Sequence, residues 1–211
     1  MPLAERRIQK FGGGTFIAAG LLLLAANLLV DLLPTSPTRP GDFLQWITAN
    51  ELRIAFANEL LIFATILLVP SFAVLGKLLG TRRKVSAFAG LSIVALALPL
   101  LAMLVVVQGR FVYPVAGLDL SVDSLKLTFS LFYGGLHTVL LMFGAALLLL
   151  GFALRGTVFN KSMVPISYVA GLLQVAGAFP WLTPVALNVS VPISLSLWMV
   201  LIGIRMLRTK P

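Results

Sequence analysis

Residues 50–80 read NELRIAFANELLIFATILLVPSFAVLGKLLG. The stretch is mainly apolar over more than the roughly 20 residues that a helix needs to cross a bilayer. It therefore predicts a long membrane-spanning helix. Glu59 stands inside that helix, where an ionisable side chain costs several kcal/mol unless it is paired or protonated. The other apolar segments read as packing material, so Glu59 is the first candidate for a functional residue.

Working outward, the same kind of window recurs along the chain. The sequence is 59% hydrophobic and only 11% charged, with a mean hydropathy of +1.04. Soluble domains carry about 25% charged residues, so that class is excluded. Six spans are expected at about residues 12–33, 51–79, 85–108, 127–154, 165–182 and 190–207. They make a single all-α transmembrane domain over 1–211, an integral membrane six-helix bundle. A basic start before the first apolar run resembles a secretory leader, but that run continues to Leu33, too long for one. Pro34, Pro37 and Pro40 argue against helix in the first loop. Residues 42–47, including Trp46, read as a short interfacial segment at headgroup depth.

The net charge of +9 would point to nucleic acid in a soluble protein. Here its placement fits the positive-inside rule instead. Arg6, Arg7, Lys10, Lys77, Arg82, Arg83, Lys84, Arg155, Lys161, Arg205, Arg208 and Lys210 fall on one side of the spans. Arg39, Arg53, Arg110 and Lys126 fall on the other, with Asp31, Asp42, Glu51, Asp119 and Asp123. Both termini are thus expected to be cytoplasmic, with no nucleic acid partner. There is no cysteine, which excludes disulfides and thiolate chemistry.

Depth along each helix brings the polar residues together. At 1.5 Å per residue, Glu59 lies about 12 Å and His137 about 15 Å below the outer ends of their spans. Asn27 lies roughly 6 Å down the first span. Asn58, Tyr133, Thr138 and Gln174 fall in the same slab, and Tyr133 shares a helix face with His137 at i, i+4. The sequence thus permits an outward-facing polar pocket of Glu59, His137, Tyr133, Asn27, Asn58 and Gln174. Three readings compete. Glu59 and His137 could tie two helices together, with an interhelical bond worth about 0.6–2 kcal/mol. They could bind a small polar, cationic or amphipathic ligand. They could act as an acid–base pair, because burial shifts both groups towards neutrality. One His and one intramembrane Glu fall short of a metal site, so neither metal nor cofactor is expected. The small residues Gly144, Ala145, Ala146 and Gly151 place the fourth span against close neighbours at the bundle centre.

Ile47-Thr48-Ala49-Asn50-Glu51, Glu59, Gly135-Leu136-His137, and Asn160-Lys161-Ser162-Met163-Val164-Pro165 before the Gly/Ala-rich residues 169–178 form a set of short motifs. On these the chain resembles a family of small bacterial multipass membrane proteins known only as a domain of unknown function. The resemblance implies six spans, a bacterial inner-membrane location and a role for Glu59 and His137, and it implies no activity. The resulting expectation is a non-enzymatic ligand-binding protein or accessory subunit in the bilayer. A lipid or small-molecule ligand, a membrane protein partner or a second copy would be its partners. The alternative is a membrane-embedded enzyme or proton-coupled carrier that uses Glu59 and His137 as an acid–base pair.

Overall fold

A computed structural model of the chain describes residues 3–34, 37, 39–79, 84–113, 121–157 and 159–208. The described residues form six helices and no strand: α1 (Leu3–Asp31), α2 (Pro40–Leu79), α3 (Lys84–Gly109), α4 (Val122–Leu154), α5 (Asn160–Gly177) and α6 (Val185–Arg208). Five of them are long and apolar enough to cross a membrane, and α5 is shorter, with an apolar stretch over Ser162–Gly177. The protein is an all-helical membrane bundle.

The helices follow one another around a ring, α1 on α2, α2 on α3, and so on until α6 closes on α1. In addition α4 reaches across to α2, which gives it the inner position that its small residues predict. Gly144 and Gly171 show why: a methyl on either would sit 3.0 Å from the other's carbonyl oxygen. Only glycine lets the α4 and α5 backbones come that close. The ring closes in the same manner, since a methyl on Gly203 of α6 would lie 2.6 Å from the Gly13 carbonyl oxygen of α1. Gln9 Nε2 donates to the Met206 carbonyl at 2.7 Å, so both chain ends lie at one end of the bundle. That end is called proximal below, and the opposite end distal.

The centre is set by aromatic packing. Phe16 of α1 meets Phe72 of α2 edge-on at 5.0 Å and Trp198 of α6 at 5.9 Å. Trp198 is fully buried and its Nε1 donates to Ser167 Oγ at 2.7 Å, so this residue also ties α6 to α5. Ser71 Oγ donates to Thr15 Oγ1 at 2.8 Å and joins α2 to α1.

Several boundaries differ from expectation, and three of them have a local reason. Residues 42–47 do not form a separate interfacial segment, because α2 runs unbroken from Pro40. A proline at the first helical position gives up no hydrogen bond and has a preset φ. The α4 helix begins at Val122, where the Ser121 side chain accepts from the Ser124 N–H, as an N-cap does. The α5 helix runs over Asn160–Gly177, with Pro165 inside it, rather than 165–182. It stops before Phe179-Pro180, because the residue before a proline is disfavoured in a helix.

The extensions of α2 and α4 build a second, smaller core at the distal end. There Phe43, Ile47 and Leu125 are buried, with Trp46, Phe111 and Phe129 packed on them. The 40 residues of α2 span about 60 Å, twice the roughly 30 Å of a hydrocarbon core. The charge-free run from 60 to 76, between Glu59 and Lys77, covers about 25 Å. Glu59 stands at the distal boundary of that charge-free run.

Candidate functional site

Glu59 lies on an exposed stripe of α2 with Leu52, Phe56, Phe63, Ile66, Val69 and Ala73, which recur every three to four residues. This is the outward surface of the helix rather than its core face. Its carboxylate accepts a hydrogen bond from the Tyr113 hydroxyl, Oη to Oε1, at 2.7 Å. The same hydroxyl lies 3.2 Å from the Ala55 carbonyl. Arg110 holds Tyr113 in place by donating from Nη1 to its carbonyl at 3.0 Å. Asn58, one residue before Glu59, is buried and its amide also acts on the Tyr113 hydroxyl. The Glu59 bond, burial and the Glu59 charge, in that order, push the Tyr113 hydroxyl above its ordinary pKa, against a smaller opposing effect of Asn58.

His137 belongs to a different station. Its Nδ1 lies 2.6 Å from the Ala178 carbonyl oxygen, which can only accept, so Nδ1 carries the proton. The ring stacks on Trp181 with centroids 6.0 Å apart and meets Phe179 edge-on at 5.2 Å. Ala178 caps the C-terminus of α5, where carbonyls lack helical partners. His137 therefore acts as a clasp that caps α5 from α4. Among the described residues Glu59 and His137 share no hydrogen bond; each has its own partner.

The other sequence-predicted residues scatter as well. Asn27 donates to the Leu23 carbonyl of its own helix at 2.7 Å. Gln174 is buried between α5 and α6 and donates to the Val191 carbonyl at 2.8 Å. Tyr133 lines a small distal chamber of about 40 Å³ with Trp46, Gln108, Phe111 and Phe129. Thr138 bonds back to Gly134 on its own helix. Asp123 pairs with Lys126 at 3.8 Å on the exposed start of α4, and Asp119 lies outside the described residues.

A further concave feature is one that the sequence did not announce. A lateral groove of about 700 Å³ runs between α2 and α3, with Ile66, Val69, Ala73 and Gly76 on one wall and Leu91, Ala95 and Ala102 on the other. It opens sideways at the depth of the apolar run. Small residues on both walls, and looser packing of α2 on α3 than of α2 on α1, leave the space. Ile66 and Ala73 belong to the stripe that carries Glu59, so the carboxylate stands above the groove, about 10 Å from Ile66 along the helix.

No family model, curated protein or solved structure matches this chain.

Proposed function

We propose that this protein is a non-enzymatic membrane protein that holds a long-chain amphiphile from the bilayer in the groove between α2 and α3. The observation that carries this reading is the groove itself, apolar, open to the side and aligned beneath Glu59. A groove at this depth faces lipid chains, and those chains are its occupant. Glu59, Tyr113 and Arg110 supply an acceptor, a hydroxyl and a cation at the level where a polar head would rest. From Glu59 to Gly76 is about 25 Å, whereas one leaflet of hydrocarbon is roughly 15 Å. A chain that starts beneath Glu59 and fills the groove crosses the bilayer midplane, which favours long chains over ordinary ones.

The acid–base alternative loses its support, because Glu59 and His137 take separate partners. With the positive-inside asymmetry, the distal end is the outer face and the termini are cytoplasmic; the inner membrane of a bacterium is the location that the resemblance implies. This reading accords with the resemblance to small bacterial multipass proteins.

Native mass spectrometry of the gently solubilised protein tests it. The wild type is expected to retain a long-chain amphiphile. Ala95→Leu, which fills the groove from an exposed position, is expected to lower the retained fraction at least fivefold. Leu96→Ala, on the neighbouring lipid-facing position, should leave it unchanged. Equal retention by all three proteins contradicts the reading.

A further inference from the structure

The distal chamber is a separate feature, sharing no lining residue with the groove and unused by the function proposed above. Its walls are aromatic: Trp46, Phe111, Phe129 and Tyr133 line it, with Phe129 and Tyr133 ring centroids 4.7 Å apart. One polar side chain among its lining residues is deeply buried. Gln108 is 4% exposed and its Oε1 accepts no hydrogen bond. A buried carbonyl oxygen without a donor is costly, so the chamber asks for a hydrogen-bond donor. The aromatic faces ask for a cation. Asp31, at the end of α1, acts electrostatically on Tyr133 and adds negative charge to the same region. Donor and cation together describe an ammonium group. The volume of about 40 Å³ has room for about three water-sized groups at 10–15 Å³ each, which suits a primary ammonium and its first carbons better than a trimethylammonium head.

We infer that the chamber framed by Trp46, Phe111, Phe129, Tyr133 and Gln108 binds the head of a primary alkylamine, with the Gln108 carbonyl as the acceptor for its N–H. The ammonium donates one hydrogen bond to Gln108 Oε1 while its carbons and remaining charge lie against the rings. Trp46 is anchored by its Nε1 bond to the Pro34 carbonyl at 2.9 Å, so its ring is held at the edge of the site.

The experiment uses the full-length protein in nanodiscs and ethylammonium as the probe, with ¹⁵N-indole spectra of Trp46 as the readout. Ethylammonium is expected to shift the Trp46 signal saturably. Ethanol, neutral and similar in size, should bind at least tenfold more weakly, as should tetramethylammonium. Gln108→Leu removes the orphaned carbonyl while keeping the bulk, and should weaken ethylammonium binding at least tenfold without lowering the melting temperature. Gln108→Glu keeps an acceptor and should retain binding. The inference is overturned if ethylammonium gives no saturable shift, if ethanol matches it, or if Gln108→Leu binds as the wild type does. In each of those cases the chamber holds water only.

Discussion

Glu59 is held by a tyrosine 54 positions away, and that single contact changes how an acid in an apolar helix should be understood. Placed at the boundary of the apolar run and bonded to Tyr113, it keeps access to the polar zone and needs no buried counter-ion. The bond has a spectroscopic consequence. A carboxylate that accepts from a phenol stabilises the neutral phenol, so Tyr113 must ionise above its ordinary pKa. The stability this bond supplies is present below the ordinary tyrosine range and is lost as pH rises through the raised value. Of the three tyrosines, Tyr113 should therefore ionise later in Glu59→Gln's parent than in the variant itself. Ultraviolet titration of wild type, Glu59→Gln and Tyr113→Phe checks this, and an unchanged titration in Glu59→Gln would refute the contact.

The residue scale also shows what the chain reveals before folding. Glu59 is legible because an acid breaks an apolar window. Its partner was not, because Tyr113 sits in a loop with no periodicity and the pairing depends on how α3 ends. A cue was available in the exposed stripe, since Leu52, Phe56, Phe63 and Ile66 surround Glu59 at helical spacing with apolar side chains. A core-facing acid would sit among small or polar neighbours. Equal depth brought Glu59 and His137 into one slab, but depth says nothing about the direction in which each helix turns its side chain.

At the scale of elements, glycine contacts decide which helices adjoin. Gly203 faces the Gly13 carbonyl at 2.6 Å and Ile17 Cγ1 at 2.8 Å from the position a methyl would take. Both neighbours belong to a packed helix, so neither moves freely. Gly203→Ala should destabilise the bundle by about 1–3 kcal/mol. Gly14, one residue from Gly13, has nothing within 4 Å of that position, and Gly14→Ala should be neutral or stabilising by up to about 1 kcal/mol. Thermal unfolding in one detergent compares the two, and equal effects would contradict the α1–α6 closure. The spans themselves were legible from hydropathy within a few residues. Their ends were not: proline was taken as a barrier at position 40 where it begins a helix, and the fifth helix starts before Pro165 and runs through it.

At the scale of the whole molecule, the apolar bundle and the distal cap serve different ends. The bundle's ring leaves one loose seam, between α2 and α3, and the cap carries the polar and aromatic stations. Among the described residues, Arg6, Arg7, Lys10, Lys77, Arg155, Arg205 and Arg208 lie towards the proximal end, and Asp31, Asp42, Glu51, Glu59 and Asp123 towards the distal one. This asymmetry was readable from the chain, since it needs only the order of spans. The seam was not, because it arises from small side chains on two helices whose facing sides are known only once they pack. The most direct test of the central claim is photo-crosslinking in membranes with a long-chain lipid that carries a diazirine near the chain end. Adducts concentrated on peptides covering 65–76 and 91–102 are the result predicted here. Adducts spread evenly over the outward faces of all six helices would contradict the groove as a binding site.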